Sequence, residues 1–387
     1  SSSLYVNATG ALDVVYVLDI SASMRDTMEG IIKVQAMVDA TNKSIKSLME
    51  MNPNNRVAVT AYNDYSYTLM NLQHYEGNNP LSVNIGSSTN QWTISGPNGN
   101  GTIYTGKETS GYLGGATNIQ RGVITGMNIL QNADTNVTID GSIVKRTPSL
   151  VLLSDGAPTR CNGNALRGYW IQSDQWFGHG ALPYAGNGFF ALITAAKNKE
   201  MVTSHYGKDC NVFTIGVGLD SLDTNSKNLA KVTVDPKNHL NDNTTYAASI
   251  RGYWDQYVND RRVNSITVGA PYGSSSPTYT NIRYGDCVTI RSGIQYNDEY
   301  YNVNNIKELD KAFEEVSDNV SETILDGEHT YPTDIGDGTD LNHQGYVTIK
   351  DEIGDYVDIK NIIGVEGNNS FTENTSFDYN TLSSIDK

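Results

Sequence analysis

The sequence predicts an α/β protein in which a mostly parallel sheet lies between helix layers, and three stretches carry that prediction. Residues 12–18 form a hydrophobic run, broken only by Asp13, that ends at Asp19-Ile20-Ser21-Ala22-Ser23 and leads into a long amphipathic segment, the succession of strand, tight loop and helix. A second run, Leu150-Val151-Leu152-Leu153, closes on Ser154-Asp155-Gly156. Between them, Gly114-Gly115-Ala116-Thr117-Asn118 reads as a turn ahead of another helical pattern. Open α/β sheets present their ligands at the carboxyl ends of the strands, so all three stretches fall at one rim.

In chain order, residues 1–10 are polar and read as a lead-in strand or linker. After the first strand a helix is expected from Met24, with Ile31, Val34, Val38, Thr41, Ile45 and Leu48 three and four apart on one stripe. Asn52-Pro53-Asn54 ends it. Residues 56–62 are apolar on both faces, as a strand covered by helices on each side requires. Residues 63–111 are too long and too rich in Gly, Asn and Ser for a simple connection, and read as an insertion of small hairpins projecting from the rim. Within it, Gly101 to Lys107 has phosphate-loop spacing, but Glu108 stands where Ser or Thr is needed, which excludes nucleotide binding.

Ile119, Val123, Met127 and Leu130 mark the next helix, and residues 137–143 a hairpin turning on Asp140-Gly141. Residues 157–188 form a second insertion dense in aromatics. A helix over 189–204, a strand over 211–217 and a short helix over 225–232 follow. A third insertion spans 233–302, with strand-like runs at 265–268 and 287–291. Ile306, Leu309, Phe313, Val316 and Val320 then define the last helix. Beyond 326, Gly, Asp and Pro dominate, and strands are expected at 346–349 and 356–363.

Asp19, Ser21 and Ser23 would cluster one carboxylate and two hydroxyls at the rim, and oxygen-only donors suit a hard divalent cation: Mg²⁺ first, with Mn²⁺ or Ca²⁺ as alternatives. Taken alone, the stretch reads first as a helix cap supplied by Asp19 or Ser23. With Thr117 and Asp155 added, the chain resembles the von Willebrand factor type A (vWA) family, whose metal-ion-dependent adhesion site combines D-x-S-x-S, a later threonine and a later aspartate, here Asp19, Ser21, Ser23, Thr117 and Asp155. The resemblance implies a doubly wound, Rossmann-like sheet with helices on both faces. It also implies that the three hydroxyls coordinate the ion, that the two aspartates act directly or through water, and that an open position accepts an acidic group from a partner. It covers about residues 11–325, interrupted by the insertions at 63–111, 157–188 and 233–302. Residues 347–358 resemble the segment that follows vWA domains in Gram-positive surface proteins and pilus-tip adhesins, so 326–387 is expected to be a linker and part of an immunoglobulin-like β-domain.

Composition narrows the setting. A net charge of −16 without any basic run argues against nucleic acid, whose phosphates would be repelled. With only 18% charged residues and much Gly, Asn, Ser, Thr and Tyr, the chain suits an extracellular surface. No apolar stretch is long enough to span a membrane, and the expected context is a piece of an exported, cell-wall-anchored or pilus-associated protein. Of the three cysteines, Cys161 and Cys287 are the pair expected if an oxidising compartment forms a disulfide, because Cys210 opens a strand at the opposite rim; three reduced thiols are the alternative.

Three readings of function follow. The first is a cell-surface adhesin module whose bound cation takes an acidic side chain of a host matrix or surface protein, alongside other pilus or surface-protein subunits. The second is glycan binding without metal, on aromatics drawn from Tyr169, Trp170, Trp176 and Tyr184 or from Tyr253 and Trp254. The third is a structural pilus domain. Catalysis is not expected, since no hydrolase or zinc-protease motif is present and the six histidines are scattered.

Overall fold

A computed structural model describes residues 2–4, 10–87, 91–105, 114–163, 176–259, 262–269, 278–283, 290, 292–322 and 333–335. Six strands make the central sheet: β1 (Leu12–Asp19), β2 (Arg56–Tyr62), β3 (Ser66–Gln73), β4 (Thr147–Ser154), β5 (Asn211–Val217) and β6 (Glu299–Val303), in the order β6-β5-β4-β1-β2-β3. Every neighbouring pair is parallel except β3, which runs antiparallel to β2. The winding reverses at β1, since the chain leaves it for β2 on one side and comes back at β4 on the other. This is the doubly wound, vWA- and Rossmann-like α/β fold.

The helices are α1 (Lys33–Met51), α2 (Ile119–Gln131), α3 (Ala185–Tyr206), α4 (Thr224–Val234), α5 (Thr245–Asn259) and α6 (Ile306–Glu322). Every residue of β1 and β4 is buried, as a parallel strand covered on both faces must be. Val14, Val15, Val17 and Leu18 are wholly buried, each worth about 1.5–3 kcal/mol relative to exposure. On one face α1 and α6 pack together: Tyr16 stacks on Phe313 at 6.1 Å, its hydroxyl bonds that of Ser44, and Ser44 lies 2.7 Å from Ser317 Oγ. On the other face Val15, Val17, Leu150 and Leu152 join Val123, Met127, Phe189 and Leu192 in the main apolar cluster. Here α2 needs its glycines, because a Cβ on Gly122 would fall 2.5 Å from Tyr62 and one on Gly126 2.5 Å from Val17. Their absence lets the helix lie directly on the sheet.

The structure departs from the sequence expectations in several places. The first helix starts at Lys33 rather than after Met24. In between, Ala22–Arg25 is a 3-10 turn, and Thr27–Met28 pairs antiparallel with Ile31–Ile32. Glu29 (φ 53°) and Gly30 (φ 78°) are both left-handed at the tip, a backbone that makes a tight hairpin and interrupts a helix. Ile31, which fits the helical stripe by spacing, is on the hairpin and 44% exposed. The expected insertion 63–111 contains β3, and the expected insertion 233–302 contains both β6 and α5, whose helical character went unread among its aromatics. Among its other described residues the first insertion holds a three-stranded sheet of Ser82–Asn84, Trp92–Gly96 and Gly99–Ile103. The Asp140-Gly141 hairpin forms between Asn136–Ile139 and Ser142–Lys145.

The expected disulfide needs correction: Cys161 is a free, buried thiol, as is Cys210, and Cys287 lies outside the described residues. Cys161 sits in the apolar cluster, where burial pushes its thiol up to about 12, and its backbone pairs with Phe177. By contacts the chain divides into two units, Gly10–Ile324, and Ser1–Thr9 together with Leu325–Lys387. In the latter, Ser2–Leu4 pairs antiparallel with Thr333–Ile335. The strands expected at 346–349 and 356–363, and the 347–358 resemblance, lie outside the described residues.

At the amino end of β1, Asp13 is fully buried and fully matched. Arg56 donates to it from Nε at 2.8 Å and Nη2 at 2.6 Å, Arg146 Nη1 at 3.3 Å and the Tyr206 hydroxyl at 2.6 Å. Removing a partner from a buried ion network leaves uncompensated charge. Asp13→Ala is therefore expected to lower the unfolding free energy in urea by about 3–5 kcal/mol. A loss under about 1 kcal/mol would show the network to be dispensable.

Candidate metal centre

The register of β1 against β4 pairs Leu18 with Leu153, so Asp19 and the Ser154-Asp155 pair leave the sheet at the same level, side by side at the point where the winding reverses. Both carboxylates are buried, Asp19 at 0% and Asp155 at 1% exposure. Asp19 Oδ1 accepts from Ser21 N at 2.8 Å, which closes the loop after β1. Its Oδ2 accepts from Ser154 Oγ at 3.0 Å and from the Asp155 backbone at 3.3 Å, with the Tyr62 hydroxyl at 3.5 Å. Burial first, and the neighbouring Asp155 charge second, hold the Asp19 carboxyl well above the ordinary carboxylate range despite these donors.

The hydroxyls converge on Asp155. Ser23 Oγ donates to Oδ1 at 2.7 Å and Ser21 Oγ at 3.4 Å, and the two seryl oxygens lie 3.2 Å apart. Thr117 approaches from the third loop: a Cβ built on Gly156 would lie 4.0 Å from Thr117 Oγ1. Three loops are tied to one another through backbone bonds. Ala22 N donates to Gly115 O at 2.9 Å, Thr159 N and Arg160 N donate to Thr117 O at 2.9 and 3.1 Å, and Thr117 N donates to Thr159 Oγ1 at 3.1 Å. The structure thus brings Asp19, Ser21, Ser23, Thr117 and Asp155 to one place. The donor set is all oxygen and rich in hydroxyls, which fits a hard divalent cation. Among the described residues no group of three or more His, Cys, Asp or Glu is placed to hold a metal ion, so a zinc-type site has no support there.

Several residues that shape this rim escaped the sequence reading. Asp64, just past β2 and fully buried, accepts from Gly114 N at 2.6 Å and Ala116 N at 2.9 Å and so holds the loop that carries Thr117. Arg160 Nε lies 2.7 Å from Asp64 Oδ1, an ion contact without hydrogen-bond alignment, and Arg160 Nη1 donates to Gly178 O at 2.7 Å. Asn118 caps α2 by accepting from Arg121 N at 3.0 Å. Lys33 Nζ lies 3.1 Å from Asp155 Oδ2. A carboxylate two residues past a strand end is the available signal for Asp64; for Lys33 there is none, because it depends on the hairpin bringing the chain back.

The aromatics proposed for sugar stacking are individually engaged. Trp176 Nε1 donates to Asp64 O at 2.8 Å, and its ring meets Tyr65 edge-on at 5.3 Å and the Arg121 guanidinium at 5.4 Å. Tyr253 packs on Phe189 at 5.6 Å, and Trp254 stacks on Tyr257 at 5.5 Å. Tyr184 precedes α3 and lies against Gly269. Tyr169 and Trp170 lie outside the described residues.

No protein-family model and no curated protein matches the chain. Among solved structures it is similar to the PilB minor pilin of Streptococcus sanguinis, at 14% identity and a TM-score of 0.44, over 82% of this chain and 64% of that one. It is similar to the pilus adhesin SpaC of Lactobacillus rhamnosus GG, at 14% identity and a TM-score of 0.40, over 81% and 31%. It is also similar to the vWF domain of the type V pili tip protein Mfa5 of Porphyromonas gingivalis, at 13% identity and a TM-score of 0.37, over 83% and 98%. The chain thus spans less than two thirds of the PilB chain and about a third of SpaC.

Asp64→Ala tests the support of the Thr117 loop. Loss of a buried acceptor at about 1–3 kcal/mol predicts that amide exchange at Gly114 and Ala116 accelerates roughly 10- to 100-fold, more than elsewhere in the sheet. Uniform acceleration would mean that Asp64 serves only global stability.

Proposed function

We propose that the chain is a non-catalytic cell-surface adhesion module of a pilus or surface protein, which binds an acidic side chain of a host matrix or cell-surface protein through a divalent cation. The observation that carries this reading is the convergence of two seryl oxygens on Asp155 Oδ1, beside buried Asp19, at the reversal point of the sheet. The metal reading is supported by the donor chemistry, and the pilus setting by the likeness of residues 347–358 to pilus-tip adhesins.

In this reading Ser21, Ser23 and Thr117 hold the ion through hydroxyl oxygens, and Asp19 and Asp155 act directly or through water. Mg²⁺ is the first candidate, with Mn²⁺ or Ca²⁺ as alternatives. The ion supplies a local positive centre with an open position, which a chain of net charge −16 otherwise lacks for an acidic ligand. Asp19 keeps the D-x-S-x-S loop closed through Ser21 N, and Asp64 keeps the Thr117 loop in place. The inserted strands decide which ligand reaches the rim: Arg25, in the first metal loop, lies over the Trp92 ring at 4.1 Å and donates to Ile103 O at 3.3 Å.

Solid-phase binding to matrix proteins and glycans, with and without EDTA, tests the reading. Binding is expected to disappear in EDTA and to return with Mg²⁺ or Mn²⁺, and Thr117→Ala is expected to abolish it with the metal-free melting temperature unchanged. Glycan binding that survives EDTA would favour the aromatic surfaces instead. A Thr117→Ala chain that no longer folds would favour a structural role.

A further inference from the structure

Lys33 is the one basic group that the described ion pairs place on either carboxylate of the candidate centre. Its ammonium is 3.1 Å from Asp155 Oδ2, on a carboxylate whose side chain is wholly buried, and the lysine side chain itself is only 16% exposed. The other oxygen of the same carboxylate, Oδ1, is the one on which Ser21 and Ser23 converge. The position of the lysine is built rather than incidental. Residues 27–32 fold back as a hairpin, Lys33 N donates to Asp26 O at 2.9 Å, and Asp26 N donates to Ser23 O at 3.0 Å, so the base of the hairpin is stapled to the D-x-S-x-S loop.

We propose that Lys33 is a tethered competitor of the divalent cation: its ammonium neutralises Asp155 in the metal-free protein and opposes metal binding at the same carboxylate. This rests on the metal reading above and deepens it. Two buried carboxylates on adjacent strand ends repel, and a single positive charge on one of them relieves part of that cost. A divalent ion arriving at Oδ1 meets the ammonium across one carboxylate group, and at that range repulsion in a largely buried site is strong. Lys33 also has somewhere to go. A cleft of about 550 Å³ beside it is lined by Asp26, Thr27, Asp220, Ser221 and Asn304; Asp220 there is already held by Lys231 at 2.7 Å and by Asn302 and Asn304, so the exposed Asp26 carboxylate is the one that receives the ammonium. Metal occupancy is then set by the contest between ion and lysine as well as by the oxygen donors.

The test is calorimetric titration of Mn²⁺ into the EDTA-stripped, dialysed full chain and its Lys33→Met, Lys33→Gln and Lys33→Arg variants, with melting curves of each. Lys33→Met and Lys33→Gln are expected to bind Mn²⁺ about tenfold or more tighter than the parent, with Lys33→Arg close to it. Without metal the neutral variants are expected to melt lower than the parent, and saturating Mn²⁺ to close the gap. Mn²⁺ binding to the parent with equal or weaker binding to both neutral variants would overturn the role of Lys33 while leaving the metal centre standing. No binding to the parent or to any variant would overturn both.

Discussion

Two carboxylates buried side by side at the ends of adjacent parallel strands are the constraint around which this molecule is arranged. Asp19 and Asp155 reach the same level because β1 and β4 are in parallel register, and they meet where the winding of the sheet reverses. Strand β1 carries a second buried carboxylate, Asp13, six positions earlier and on the same face. The two ends are treated differently. Asp13 faces two guanidinium groups and a tyrosine hydroxyl fixed by the fold, so its charge is matched permanently. Asp19 faces neutral donors and another carboxylate, which keeps its charged form costly.

The surrounding structure serves to hold oxygens rather than to fill space. Three loops far apart in sequence are cross-tied by the Ala22–Gly115 and Thr117–Thr159 bonds, so that none can shift without the others. Asp64 repeats the theme one strand away, spending a buried carboxylate on the amides of Gly114 and Ala116, with Arg160 as its counter-charge. Such outer partners commonly matter to an ion site nearly as much as the ligands themselves, since they set where the ligands point. The hairpin at residues 27–32 adds a different element, a lysine delivered to the centre from outside the donor motif.

Much of this was legible from the sequence, and the exceptions share a cause. The runs that became β1, β2, β4 and β5 are apolar on both faces, and α2 and α6 carry clean stripes. The edge strands β3 and β6 read as parts of insertions because an edge strand is only half covered and loses the continuous apolar run. The apolar stripe places the start of α1 too early, since Ile31 matches it by spacing, whereas the left-handed pair Glu29-Gly30 breaks the chain there. Position near the rim makes Cys161 a disulfide candidate, whereas it is a free thiol inside the apolar cluster.

Strands β1, β2, β4 and β5, helices α2, α3, α4 and α6, the oxygen character of Asp19, Ser21, Ser23, Thr117 and Asp155, and the acidic balance that disfavours nucleic acid can all be read from the chain in one dimension. These rest on local periodicity and side-chain chemistry, which a linear reading contains. Folding in three dimensions is what makes Asp64 and Arg160 brace the Thr117 loop, ties Trp176 to that brace through Asp64, and brings Lys33 to Asp155. Those contacts join residues tens to more than a hundred positions apart. They exist because parallel register and a hairpin turn bring distant backbone together, and no local pattern encodes that distance.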